Sequence, residues 1–363
     1  MHILCNRLDR AFQSYQQEFE DKALEVLRSG YYVMGKELQS FEWEFAQFLG
    51  ASHCIGVGNG LSALSMAFYL LGIGNGDEVI VPANTYIASV LGVTLNGAVP
   101  VFVEPDIYYN INADLIEEAI TEKTKAILAV HLYGQPANMK KIIKIAKKYN
   151  LRVVEDCAQS HGAAFEGRQT GTFGDFGCFS FYPTKNLGAF GDGGALVTNN
   201  AELAEQARMF RNYGSKRKYH NEIMGVNSRL DEFQAGLLRI KLCHYSELLQ
   251  ERKNLAAYYE SSIKNPAFAL PKVREGAEAV WHQYVVRVDN RDEVQQKLKS
   301  EGIDTMIHYP IPPYLAESMR YLNVPAEKYP LAGMYAREVL SMPFYNGMTE
   351  QEQEYVVKVI NSL

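Results

Sequence analysis

The sequence predicts an α/β fold: a large domain with a mostly parallel seven-stranded sheet flanked by helices, and a smaller C-terminal α/β domain. Three observations carry this. From residue 54 to about 200, short β-branched runs alternate with longer amphipathic stretches, the pattern of parallel strands joined by crossover helices. The chain of 363 residues is 47% hydrophobic and 21% charged, the balance of a folded globular protein with length enough for a sizeable core. After about residue 229 the pattern turns helical, and a shorter mixed region follows.

Taken in order, residues 1–30 read as an N-terminal arm and helix, 31–245 as the large domain and 246–363 as the small one. Strands are expected at 54–58, 78–82, 99–104, 125–131 and 152–156, with helices in the gaps. Two more, at 177–182 and 194–198, flank a loop rich in Gly, Pro and Asn that is too irregular for a tight hairpin. Such a loop is a natural place for chemistry. One long helix is expected over 230–263, carrying Leu237, Leu238, Ile240, Leu242, Leu248 and Leu249. Beyond it, a strand at 280–288, a helix at 293–300 and an extended stretch at 305–309 make up the small domain.

Composition narrows the function classes. Lys and Arg total 36 against 42 Asp and Glu, a net charge of −6, so no basic excess drives binding to nucleic acid. The five cysteines, Cys5, Cys54, Cys157, Cys178 and Cys243, are widely spaced without a C-x-x-C pair, which argues against a disulfide framework or a zinc site, and no metal is expected. The apolar run at 60–73 is too short for the ~20 residues of a membrane span. The start lacks an apolar leader, so the expected compartment is the cytoplasm.

Three places carry candidate chemistry. The run Gly56-Val57-Gly58-Asn59-Gly60-Leu61 fails the G-x-G-x-x-G dinucleotide fingerprint, because Leu61 stands where glycine is required. What survives is a strand, a glycine-rich turn and a helix start near Leu61, which aims free N–H groups and a positive dipole end at an anion. The plainer reading is a turn that needs glycine for positive φ. At 152–156, Arg-Val-Val-Glu-Asp ends a parallel strand, where ligands of open α/β sheets bind. Alternation sends Glu155 and Asp156 to opposite faces, so one of them faces the site. Finally, Lys185 lies just after a strand among Phe181, Tyr182, Pro183 and Leu187. Partial desolvation there would lower its pKa and favour a nucleophilic amine.

A phosphate-binding helix start, a strand-end acid and a loop lysine match the needs of pyridoxal phosphate (PLP): a phosphate anchor, a partner for the pyridine nitrogen and an amine for the aldehyde. Their order, Gly60 then Asp156 then Lys185, is that of fold type I PLP enzymes. Across nearly its whole length the chain resembles the DegT/StrS-type sugar aminotransferases. The matching stretches are GDEVIVP at 76–82 with Thr85-Tyr86, HLYGQ at 131–135, EDCAQSHG at 155–162, SFYPTKNLG at 180–188, GDGG at 191–194 and NSRLDE at 227–232.

The resemblance implies a fold type I aminotransferase in which Lys185 holds PLP and Asp156 pairs with the protonated pyridine nitrogen. It places Gln159 near the 3-hydroxyl, Tyr86 on a ring face, and Ser180 with the backbone at Gly60 and Leu61 on the phosphate. Asn227 would reach that phosphate from a neighbouring subunit, implying a homodimer with shared sites. The family often has Thr where Leu61 stands, so only a backbone contact is left there.

The resemblance also implies L-glutamate as donor, with 2-oxoglutarate as its product, and a keto group on a nucleotide-linked sugar as acceptor. Lys185 argues against the branch that carries histidine at this position and dehydrates the sugar. The stretches VEPD at 103–106 with Tyr109-Asn110-Ile111, and HYPIPPY at 308–314, are most similar to members that aminate dTDP-linked 3-keto-6-deoxyhexoses, in deoxyaminosugar biosynthesis for lipopolysaccharide O-antigen or other glycans. Two further readings stand beside this: a nucleotide-sugar 4-aminotransferase, and a non-catalytic regulatory protein that binds PLP or an aminosugar. Sugar contacts are expected from Tyr182, Arg229 and His308. His308 reads equally as a structural histidine, and Arg229 equally as a partner of Asp231 or Glu232. The basic run Lys216-Arg217-Lys218 reads as a diphosphate site or as a solvated loop.

Overall fold

A computed structural model describes every residue of the chain except Lys218. Helices α1 (Leu8–Gln13) and α2 (Gln16–Ser29) open it, and α3 (Lys36–Leu49) leads into the central sheet. The sheet strands are β1 (His53–Val57), β2 (Glu78–Pro82), β3 (Val99–Val103), β4 (Thr124–Val130), β5 (Arg152–Asp156), β6 (Phe176–Ser180) and β7 (Gly194–Thr198). All seven expected strands are present, with ends within two residues of those read from the sequence. Their spatial order is β1-β7-β6-β5-β4-β2-β3. Only β7 runs against its neighbours, β1 and β6; the other pairings are parallel.

The sheet is buried on both faces, and its apolar strands follow from that. Val79 and Val81 face one core with α4 (Gly60–Leu70) and α7 (Ala201–Phe210), while Ile80 between them faces another with α6 (Met139–Tyr149). Helix α5 (Ile87–Thr94) packs on α4. No helix among the described residues is long and apolar enough to cross a membrane.

The long helix expected over 230–263 is two helices, α8 (Glu232–Cys243) and α9 (Tyr245–Ser262). They break at His244, whose ring stacks on Tyr15 with centroids 3.9 Å apart and whose Nε2 meets the Glu18 carboxylate at 3.0 Å. The leucine periodicity runs through this point unchanged; partners at the start of α2, Tyr15 at its N-cap and Glu18 in its first turn, fix the bend.

Beyond it lie β8 (Val285–Arg287), α10 (Arg291–Ser300), α11 (Pro330–Glu338), β9 (Val339–Ser341) and α12 (Glu350–Ser362), with β8 and β9 antiparallel. Their core includes Leu255, Tyr259, Val286, Leu298 and Val356, and it takes in Ile3 from the far end of the chain. The strand expected over 280–288 shortens to three residues because a loop of the main sheet claims its first part. Val280 N–H donates to the Gly134 carbonyl and His282 N–H to the Tyr133 carbonyl, both at 2.9 Å.

Candidate active site

A cavity of about 810 Å³ opens at the carboxyl ends of β4, β5 and β6. Gly60, Leu61, Tyr86, Asp156, Gln159, Ser180, Tyr182, Lys185 and His308 all line it. So do Cys5 and Asn6 from the N-terminal segment and Met306, Ser341 and Phe344 from the C-terminal region.

One wall is the start of α4. Asn59 caps it, its side-chain oxygen accepting from Ser62 N–H at 2.8 Å, which leaves the first-turn N–H groups near Gly60 and Leu61 facing the cavity. The glycines are here for close approach. Neither Gly56, Gly58 nor Gly60 has positive φ, which corrects the turn reading. A Cβ on Gly60 would lie 2.7 Å from the Ser180 Cβ, and one on Gly194 would lie 2.5 Å from the Asn59 carbonyl carbon. The cradle between α4 and β6 is one that a side chain would fill.

The floor is the end of β5. Asp156 is buried; its Oδ2 accepts from the Ser89 hydroxyl at 2.7 Å and its Oδ1 from Ala158 N–H at 3.1 Å. Thr85 in turn sits 2.7 Å from Ser89, a relay that fixes the carboxylate. Glu155 points the other way, where His131 and the N–H groups of Gly171, Phe173 and Gly174 surround it at 2.8–3.0 Å. His131, Glu155 and Cys157 come within 4.8 Å of one another, but both ring nitrogens of His131 are engaged, with Glu155 and with Ala137 N–H.

Lys185 sits on a tight turn, its N–H donating to the Tyr182 carbonyl at 2.8 Å. Gly188 closes that turn, where a Cβ would lie 2.4 Å from the Pro183 oxygen. Burial lowers the Lys185 pKa to about 8, against a smaller opposing pull from Asp156. A second buried lysine, Lys241 of α8, reaches the Gly188 carbonyl at 2.6 Å.

A family model for DegT/DnrJ/EryC1/StrS aminotransferases matches residues 13–361. The chain belongs to this family. It is therefore an aminotransferase, as the resemblance implied. The dTDP-3-amino-3,6-dideoxy-alpha-D-galactopyranose transaminase of Aneurinibacillus thermoaerophilus is 52% identical over 348 residues, 96% of this chain and 95% of that one. The X-ray structure of S. venezuelae DesV in complex with a ketimine intermediate superimposes with a TM-score of 0.97 at 44% identity, covering 99% of this chain and 98% of that one. The PLP form of the sugar aminotransferase Spr1654 from Streptococcus pneumoniae does so with a TM-score of 0.90 at 25% identity, covering 95% of each.

In this aminotransferase the remaining residues divide by position. Gln159 spans the cavity wall: its Oε1 accepts from Tyr133 N–H at 2.6 Å, and its Nε2 donates to the Tyr309 hydroxyl at 3.0 Å. The Tyr309 ring meets that of half-exposed Tyr86 at 4.9 Å. His308 places Nδ1 2.7 Å from the Ser341 hydroxyl, and burial lowers its pKa to about 4. Tyr182 stands exposed at the rim.

Asn227 and Arg229 do not line the cavity of their own chain. Asn227 donates to the Tyr213 hydroxyl at 2.8 Å. The Arg229 guanidinium donates to Asn212 at 3.0 Å rather than meeting Asp231 or Glu232; Glu232 instead accepts from the N–H groups of Gly35, Glu37 and Leu38. Of the basic run, Lys216 pairs with Glu205, and Lys218 lies outside the described residues. Sequence reasoning missed Ser89, Tyr309, Asn186 and His282. A lone histidine inside an apolar strand pattern was the one signal for the last of these.

Proposed function

We propose that this enzyme moves the amino group of L-glutamate to the keto carbon of a nucleotide-linked sugar, converting a dTDP-3-keto-6-deoxyhexose to a dTDP-3-amino-3,6-dideoxyhexose. The observation that carries this is a lysine of lowered pKa and a fixed carboxylate in one cavity, in a chain about half identical to a dTDP-3-amino-sugar transaminase along almost its full length. The cofactor is pyridoxal phosphate, and the residues present fit it: an amine, an acid, and a glycine-walled cradle at a helix start.

In this reading the N–H groups at Gly60 and Leu61, with Ser180, hold the phosphate. Gln159 would meet the 3-hydroxyl, Tyr86 would cover a ring face, and Lys185 would be the residue that holds the aldehyde carbon. When bound, the cofactor supplies an electrophilic carbon and an electron-withdrawing ring. Asp156, locked by Ser89 and Ala158, holds a proton on the pyridine nitrogen through its negative charge. Lys185, once its amine is free, would carry a proton between carbon centres; a pKa lowered to about 8 brings the neutral, basic form within reach near neutral pH, where an ordinary lysine is almost wholly protonated. Tyr182 and His308, both in the cavity lining, would face the sugar.

The proposal extends to a homodimer with shared sites, in which Asn227 and Arg229 of one copy complete the site of the other, and to cytoplasmic work in deoxyaminosugar and glycan biosynthesis. The test is incubation of the purified protein with L-glutamate and a panel of nucleotide keto-sugars, followed by mass and NMR identification of the aminated carbon. A 3-amino product with 2-oxoglutarate is expected. A 4-amino product would overturn the choice of carbon, and a protein that neither takes up PLP nor consumes glutamate would overturn the whole reading.

A further inference from the structure

His282 is a buried residue that lines the cavity beside Lys185 and that the mechanism above leaves unused. Its surroundings fix its tautomer. Asn186, the residue after Lys185, donates from Nδ2 to the Val280 carbonyl at 2.9 Å, so its Oδ1 is the end that meets His282 Nδ1 at 3.0 Å. An amide oxygen only accepts; the proton therefore sits on Nδ1, and Nε2 keeps a free lone pair. That nitrogen has no hydrogen-bond partner among the described residues. Burial lowers the His282 pKa well below the ordinary value, and the Lys185 charge lowers it further, so the ring stays neutral as the lysine titrates.

The backbone is as firmly held as the ring. His282 N–H donates to Tyr133 O at 2.9 Å, and its carbonyl accepts from Arg252 at 2.7 Å. A side chain this constrained, with one unpartnered lone pair and lining the same cavity as the Lys185 amine, is a placed acceptor.

Resting on the aminotransferase reading, we propose that His282 Nε2 is the acceptor that steadies the Lys185 ammonium whenever that amine is free of the cofactor and carries a proton. A neutral imidazole suits this task better than a carboxylate, because it orients the ammonium without pinning the proton there. The other titratable or charged groups around the pair are Asp156, His161, His308 and Arg252. His161 is neutral and donates Nε2–H to the Ser180 carbonyl; His308 is engaged with Ser341; Asp156 is held by Ser89 and Ala158; Arg252 points its donors at backbone carbonyls and Asn346.

The experiment compares His282→Asn with His282→Gln. Asn can keep the donor to Asn186 but has no atom at the Nε2 position; Gln can place an amide oxygen there. In the cofactor-free full-length protein, the rate at which acetic anhydride acetylates Lys185 is followed against pH by peptide mass spectrometry. Loss of the acceptor disfavours the charged amine, so His282→Asn is expected to acetylate about tenfold faster near pH 6, with wild type and His282→Gln alike. An unchanged profile in His282→Asn overturns the proposal. If His282→Asn does not fold, the ¹⁵N resonances of the wild-type histidines decide: a bare Nε2 at His282 at neutral pH upholds it, and a protonated one overturns it. Because these readouts need neither cofactor nor turnover, they stand apart from the test of the reaction itself.

Discussion

Glu155 and Asp156 are adjacent on one strand, yet their carboxylates serve opposite faces of the sheet: Asp156 looks into the cavity, and Glu155 ties down the loop from Gly171 to Gly174 behind it. The two are coupled through the backbone they share. Glu155 fixes the strand end from which Asp156 is presented.

Replacing Glu155 is therefore a stability experiment. Glu155→Ala leaves the N–H groups of Gly171, Phe173 and Gly174 and the buried His131 without their acceptor, and a loss of about 3–5 kcal/mol is expected in denaturant unfolding. A loss below about 1 kcal/mol would show that water or another group takes over.

Replacing Asp156 is an activity experiment. Asp156→Asn keeps the shape and much of the hydrogen bonding to Ala158 and Ser89, but it removes the charge. Turnover is expected to fall about a hundred- to a thousandfold with the melting temperature little changed.

Gly60→Ala adds a methyl group 2.7 Å from the Ser180 Cβ. Forcing α4 and β6 apart by even a fraction of an ångström spoils the phosphate cradle. PLP affinity, measured by fluorescence titration, is expected to weaken at least about tenfold, with a stability cost of about 1–3 kcal/mol.

Lys185 gives a pH-dependent signature in the cofactor-free protein. Its folded pKa of about 8 lies below the ordinary value of 10.5, so the unfolded chain binds the proton more tightly and folding is penalised at neutral pH. That penalty disappears as pH rises from about 8 to 10.5. Lys185→Met is expected to be more stable than wild type by about 3 kcal/mol at pH 7, the difference closing across that window. A constant difference would mean that the amine titrates normally.

Tyr133→Phe removes the hydroxyl that reaches the His308 carbonyl and leaves that carbonyl without its donor. A stability loss of about 1–2 kcal/mol and a raised KM for the sugar are expected, with the glutamate half-reaction less affected.

The sheet was legible because each strand carries its own short-range signal, a β-branched run bounded by turn residues. Asp156 and Lys185 were legible for a related reason: strand ends and the loops after them sit where open sheets bind ligands. The relay from Thr85 through Ser89 to Asp156 was not, since Ser89 and Asp156 stand 67 positions apart and nothing in either stretch announces the other. The break at His244 was hidden in the same way, being imposed by Tyr15 and Glu18 rather than by a helix-breaking residue. The glycines at the start of α4 were seen, but for a reason the structure replaces: what Gly60 avoids is Ser180 at the end of β6, against which the helix start packs.

One tether reaches beyond the chemistry. The segment Val280 to His282 is bonded to the turn at Tyr133 and Gly134, to Asn186 on the lysine loop and to Arg252 of α9. Any swing of the C-terminal region to widen the mouth for a bulkier sugar would drag the reactive amine out of register. Engineering a broader substrate range in this scaffold is thus a matter of exchanging rim side chains such as Tyr182, with the Val280–His282 segment left alone.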